Sequence, residues 1–295
     1  MTPKLDKALL SDGATVVRGL FDSAAMTHLQ ELYDYCFEHP SPLALSSERG
    51  EDRSYTDMLN SDPKVRELTE TALEGQPIGE MLAEVWDSEH VWYLTEEIFL
   101  RESKTNKNRG VFHQDSSLAP WEGEHWANFW ISFDPVPNEN ALEILTGTHL
   151  GPQYDYVPYD PQDPSNQSKR GEPFWGNQID PPWPPAPDFE AQLAQDPPAY
   201  DVIGWGVEPG DVVVFHPHVI HGGAPTGPRY PRRRTLSLRF FGDKSYYKPI
   251  PQGGVLQTPE MVAEQARLLK ERGIKQSPEM KAGDPWRGPQ YLQLR

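Results

Sequence analysis

The segment VFHQDSS places His113 two residues before Asp115, among apolar and aromatic neighbours. A carboxylate in apolar surroundings is costly unless it is paired, hydrogen-bonded or bound to a metal. Residues two apart on a strand share a face, so an imidazole and a carboxylate at this spacing can reach one ion. A third donor has three candidates in GDVVVFHPHVIHGGAP: His216, His218 and His221. Alternation along one strand puts His216 and His218 on a common face and leaves His221 off it. His221 instead stands where the strand gives way to Gly222 and Gly223, which permit close backbone approach and a side chain turned toward a cavity mouth. His216 and His218 read more simply as strand histidines with hydrogen-bonded partners.

Two histidines and one carboxylate, with coordination positions left open, form the facial triad of non-haem iron chemistry. The chain continues into RRRTLSLRFF. Arg233, Thr235, Ser237 and Arg239 alternate onto one face of that strand, and Arg232, Arg234, Leu236, Leu238 and Phe240 onto the other. A guanidinium fork can hold a carboxylate through two parallel hydrogen bonds. The polar face therefore predicts an iron site with a dicarboxylate co-substrate held by Arg233, while at least two of the three consecutive arginines are expected in solvent.

The elements that must position these residues follow from periodicity. A short strand over Ala14–Gly19 precedes an amphipathic helix carrying Met26, Leu29, Leu32, Tyr33 and Cys36, with Asp22 or Ser23 as its cap. Further helices are predicted over Pro63–Leu73 and Ile78–Trp86, separated by the breaker EGQP. From Val91 the pattern turns to strands, in VWYLTEEIFLR, ANFWISFDPV, DVVVFHPHVI and RTLSLRFF. Helices first and strands afterwards predict a single domain: helical support over about 1–90, a β core over about 91–245, and a C-terminal helix over about 258–273 capped by Thr258. Residues 151–200, dense in Pro, Asp and Gln, read as a lid or a surface loop inserted in that core. Trp175 and Trp183 need burial and favour the lid.

The chain has 295 residues, 37% of them hydrophobic, with 9 Trp, 12 Tyr and 11 Phe, enough to bury a core despite a mean hydropathy of -0.68. A formal charge of -17 argues against nucleic acid or anionic lipid as partner. No apolar run is long enough to span a bilayer, the N-terminus lacks a secretory pattern, and the single Cys36 forms no internal disulfide. A reducing cytoplasm is the expected location.

In their order and context, DGATVVRGLFD, FHQD, WISFDPV, LTGTHLGP, GDVVVFHPHVIHGGAP and RRRTLSLRF resemble the phytanoyl-CoA dioxygenase family of Fe(II)/2-oxoglutarate oxygenases, over most of the chain. The resemblance implies a mainly β fold with supporting helices around a double-stranded β-helix, the cupin-like jelly roll. It implies His113, Asp115 and His221 as iron ligands, Arg233 as the co-substrate arginine, and Trp130 as a 2-oxoglutarate contact, with Thr235 and Ser237 sharing the face of Arg233. Some relatives carry Lys where this chain has Arg101 and Gln where it has Glu97, which leaves those two without a carried-over role. Related halogenases have a small residue in place of the carboxylate, so Asp115 favours hydroxylation. The implied reaction consumes 2-oxoglutarate and O2, releases succinate and CO2, and hydroxylates an unactivated C–H bond of a small molecule. The basic stretch RESKTNKNR, 101–109, reads as a solvated loop or as a contact for an anionic substrate. Two rivals are a zinc hydrolase using the same triad to activate water and a non-catalytic jelly-roll binding protein. The hydrolase would need no arginine fork and would ignore 2-oxoglutarate.

Overall fold

The computed structural model describes residues 5–42, 44–49, 52–103, 108–155, 173, 175–250 and 280–295. A short helix α1 (Ala8–Ser11) leads into strand β1 (Ala14–Val17) and then α2 (Ser23–Glu38). The Asp22 carboxylate caps α2 by accepting the Ala25 amide at 2.9 Å. A hairpin of β2 (Leu45–Arg49) and β3 (Asp52–Met58) follows, then α3 (Pro63–Leu73) and α4 (Ile78–Trp86). α3 opens on a proline behind the Asp62 cap, and α4 stops at Asp87 in the left-handed conformation, φ 52°. α2 carries the predicted apolar residues behind the Asp22 cap, and α3 and α4 match their predicted ranges, because each apolar run is bracketed by a cap or breaker.

The first ninety residues are not only helical support, however. β1, β2 and β3 all join the main sheet. The hairpin escaped the sequence because DRSYTDM is half-buried and polar on both faces, so it carries no apolar alternation.

The core strands are β4 (Val91–Glu102), β5 (Asn108–His113), β6 (Trp121–Gly123), β7 (Trp126–Ser132) and β8 (Leu142–Leu145). After the short helix α5 (Phe189–Leu193) come β9 (Val202–Ile203), β10 (Val212–Phe215), β11 (His221–Thr226), β12 (Arg232–Gly242), β13 (Ser245–Tyr247) and β14 (Leu292–Gln293). An eight-stranded antiparallel sheet runs β1-β10-β7-β12-β4-β3-β2, with β14 beside β4, and a four-stranded sheet runs β5-β11-β8-β9. The two sheets are those of a jelly roll. DVVVFHPHVI is therefore not one strand: Pro217 has no amide hydrogen to continue the ladder, and the chain crosses from β10 in the large sheet to β11 in the small one.

Alternation decides what each face of the large sheet does. Ile98, Phe129, Ile131, Val212, Val214, Leu236, Leu238 and Phe240 point outward and pack on Leu29, Leu32, Ile78 and Leu82 of the helices. Each such side chain, fully buried, contributes roughly 1.5–3 kcal/mol. Trp130, Val213 and Phe215 point inward and pack against Leu142, Ile144 and Ala224. In the described part of the 151–200 insertion, Phe189 of α5 is buried on Phe112, Leu145 and Ile220. Trp175 is buried too, donating its indole N–H to the Ser117 carbonyl at 3.0 Å. The predicted C-terminal helix, 258–273 with Thr258, lies outside the described residues. Among the described residues no helix is long and apolar enough to cross a membrane.

Candidate metal centre

His113 ends β5 and His221 begins β11, and the two are register partners across the small sheet. A Cβ on Gly222 would come within 2.9 Å of the Phe112 amide nitrogen, so only glycine lets β11 lie this close to β5. Gly223 holds φ at 72°, and the ladder slips between His221 and Gly223. Because the chain has crossed from the large sheet to the small one, alternation does not run on along DVVVFHPHVIH, and His221 stands opposite His113. Asp115 is not on the strand at all: it opens a 3-10 turn, Asp115–Leu118, just past β5. His113 and Asp115 are brought together through that turn and not by sharing a strand face, which corrects the same-face argument.

The donor atoms of His113, Asp115 and His221 all lie within 4.8 Å of one another. Asp115 Oδ1 is 3.3 Å from His113 Nε2 and 3.6 Å from His221 Nε2. Each imidazole places Nδ1 against a backbone carbonyl, Val111 at 2.9 Å and Val219 at 3.0 Å. A carbonyl only accepts, so Nδ1 of each ring carries a hydrogen and Nε2 of each ring faces Asp115. Burial would raise the Asp115 pKa, but His221, His113 and Arg239 together hold the carboxyl well below the usual range. Burial, then the neighbouring His113, pulls His221 down to about 4. Burial would lower the His113 pKa, but the hydrogen bond and charge of Asp115 outweigh it and raise it. One carboxylate oxygen and two imidazole nitrogens form a donor set that suits a divalent transition metal, which would take the place of the proton between His113 and Asp115.

Three residues without an assigned role in the sequence reading support this set. Asn128 of β7 donates to Asp115 Oδ2 at 2.7 Å, leaving Oδ1 toward the imidazoles. Arg239 lies 3.6 Å from the same Oδ2 and is hydrogen-bonded to Glu97, which also accepts from Thr56 at 3.1 Å. Asn128 carried a signal, since it is a lone amide within the aromatic run WANFW, and Arg239 shared the polar face of β12. Glu97 acts as the buried partner of Arg239.

Arg233 is 5% exposed, and its guanidinium carbon lies 5.7 Å from the Trp130 ring centroid. It donates to the Ala224 carbonyl, and among the described residues no carboxylate pairs with it. Burial, then the charge of Arg101 opposite it in register, lowers its pKa to about 9. Such a desolvated cation fits a carboxylate ligand. Thr235 and Ser237, both buried, share the inward face, and Ser237 is in register with Trp130. Arg232 is solvated beside Glu102, as expected for two of the three arginines, but Arg234 is not: it forks onto Asp134 at 3.0 and 3.3 Å. His216 and His218 are not brought to the triad and line a different cavity. Of the stretch 101–109, the described Arg109 pairs with Glu143.

The fold has relatives among solved structures. It resembles the non-heme alpha ketoglutarate dependent epimerase SnoN from nogalamycin biosynthesis, at TM-score 0.61 and 14% identity, covering 98% of this chain and 93% of that one. The carbocyclase SnoK from the same biosynthesis aligns at TM-score 0.61 and 15% identity, over 98% and 94%. EctD from S. alaskensis aligns at 0.51 and 13%, over 80% and 75%. At these identities the likeness is one of fold. No curated protein sequence matches significantly. The sequence pattern that defines the phytanoyl-CoA dioxygenases, by contrast, matches residues 9–234, from α1 through both histidines to the first turns of the arginine strand. With most of its length so matched and a His-Asp-His cluster between the sheets of its jelly roll, the chain belongs to the phytanoyl-CoA dioxygenase family.

Proposed function

We propose that this protein is a non-haem Fe(II)/2-oxoglutarate-dependent dioxygenase that hydroxylates an unactivated C–H bond of a small organic molecule. Its cofactors are iron and 2-oxoglutarate, with O2 as the second co-substrate. The observation that carries the reading is the pairing of two sites in one interior: three converging donors, and a buried guanidinium that no carboxylate among the described residues pairs with. A zinc hydrolase would need the first and gain nothing from the second.

In this reading His113, Asp115 and His221 hold the metal, and Arg233 binds the distal carboxylate of 2-oxoglutarate against Trp130, Thr235 and Ser237. When bound, iron with 2-oxoglutarate and O2 supplies the oxidising chemistry, and one C–H bond becomes C–OH as 2-oxoglutarate becomes succinate and CO2. The protein's own part is positional. Asn128 and Arg239 fix which oxygen of Asp115 faces the metal, and the two backbone carbonyls fix the histidine tautomers. Segment 151–200 acts as a cover in this reading: in its described part the Tyr154 amide N–H donates to Gln114 Oε1 and the Trp175 indole N–H to the Ser117 carbonyl, each at 3.0 Å, on either side of Asp115. Related folds include an epimerase and a carbocyclase, so hydroxylation is the finer part of the proposal and rests on the intact carboxylate ligand.

The test is an anaerobic titration followed by a substrate screen. One Fe(II) should bind per chain, 2-oxoglutarate should then give a metal-to-ligand charge-transfer band, and admission of O2 with a substrate should release succinate. His113→Ala, Asp115→Ala and His221→Ala should each abolish turnover. An inactive His218→Ala beside a fully active His221→Ala would show the third donor to be wrong, and turnover indifferent to 2-oxoglutarate would return the hydrolase.

A further inference from the structure

Just beyond the end of β10 the chain encloses a second cavity, of about 510 Å³, whose lining includes none of His113, Asp115, His221 or Arg233. Its walls are aromatic. Trp121 and Trp126 stack at 4.0 Å between centroids, Trp86 lies alongside, and Trp183 of the 151–200 segment contributes another face. Leu150, 74% exposed, stands on the rim. The volume falls in the range that takes a small organic ligand.

We propose that this cavity binds an aromatic organic anion, with Lys248 holding the acid group and the tryptophans the ring system. Lys248 Nζ lies 4.6 Å from the Trp183 ring centroid. Of its three hydrogens two are spent, on the Ser116 carbonyl at 3.0 Å and Gln153 Oε1 at 3.2 Å. No carboxylate among the described residues lies within ion-pair distance of it. Burial pulls its pKa down to about 8 against the weaker attraction of Glu122 on the rim, and a bound anion at Nζ would offset that desolvation.

The other polar groups narrow the ligand class. His216 and His218 are pulled down to about 3 and about 4 by burial, so neither adds positive charge at neutral pH. Both ring nitrogens of His218 are engaged, with Ser116 Oγ at 2.8 Å and the Gly151 carbonyl at 3.2 Å. Lys248 is thus the charged anchor of the cavity. Glu122 and Glu124 are exposed on the rim, and they disfavour a polyanion such as a nucleotide-bearing thioester while leaving a single acid group room at Nζ. The seated molecule would lie one hydrogen bond from Ser116, the residue after Asp115.

Two probes with one ring system separate charge from apolar burial. 8-Anilinonaphthalene-1-sulfonate carries an acid group, and N-phenyl-1-naphthylamine lacks it. Titrated into the full chain and followed by fluorescence, the sulfonate should lose about ten-fold in affinity in Lys248→Met, while the neutral probe changes less than about two-fold. Leu150→Glu, on an exposed rim position that cannot unfold the core, should also weaken the sulfonate more than the neutral probe. Circular dichroism and the thermal midpoint check the fold of each variant. Unchanged sulfonate affinity in both variants, or equal losses for both probes, overturns the assignment. No turnover is read, so the outcome stands apart from that of the iron proposal.

Discussion

Arg233 carries its guanidinium to a place where water is nearly absent and where, among the described residues, it donates to the Ala224 carbonyl and meets no carboxylate; that choice of residue is costly unless an anion arrives. Arg233→Ala should therefore weaken 2-oxoglutarate by roughly 2–5 kcal/mol while leaving Fe(II) affinity nearly unchanged. Arg232→Ala should be mild, because that side chain is solvated. Arg234→Ala should lower the thermal midpoint instead of the 2-oxoglutarate affinity, since its fork closes on Asp134 and reaches Gln30 of α2. Titrating 2-oxoglutarate into the three anaerobic Fe(II) variants, and following the charge-transfer band, separates them. A large loss in Arg232→Ala with little in Arg233→Ala would place the co-substrate on the opposite face of β12.

At the scale of elements, the close approach of β11 to β5 decides whether the triad exists. Gly222→Ala would drive a methyl into the Phe112 backbone, so we expect a lowered thermal midpoint together with weakened Fe(II) binding. A variant with native stability and native iron affinity would show that the strands can part without disturbing His113 and His221. The same region shows what the sequence could reveal. α2, α3 and α4 were legible because caps and breakers bracket their apolar runs, and the two faces of β12 because its alternation is clean. The split of β10 from β11 was not read, since HPHVI has the composition of a strand and only its prolyl nitrogen tells otherwise. The β2–β3 hairpin offered no apolar period, and Asn128 and Glu97 take their meaning from Asp115 and Arg239, partners distant in sequence that pairing of strands brings together.

For the molecule as a whole, a buried acid on the outer face of β4 sets a dependence of stability on pH. Glu96 accepts the Asn60 amide at 2.8 Å and the Tyr93 hydroxyl at 2.9 Å, yet burial raises its pKa from 4.5 to about 7. The folded state thus holds this proton more tightly than the unfolded chain does. Its favourable contribution is complete below about pH 4.5, is lost as pH rises toward about 7, and stays lost above. Glu96→Gln should accordingly stabilise the protein at pH 8, by up to on the order of 3 kcal/mol, with the gain shrinking toward pH 5. Thermal or urea unfolding of both proteins across that range checks it, and a pH-independent difference would remove Glu96 as the cause.

β12 packs Leu236, Leu238 and Phe240 onto the helices and sends Arg233, Thr235, Ser237 and Arg239 into the interior. A slip of one residue along its neighbours would exchange the two sets, putting guanidinium groups among aliphatic side chains and leucines beside the metal donors. The misregistered chain would lack a core as well as a site. Errors of this kind are thus discarded by failure to fold, and do not accumulate as well-folded, inactive protein that competes for iron. Assembly of the strand acts as its own proofreading step.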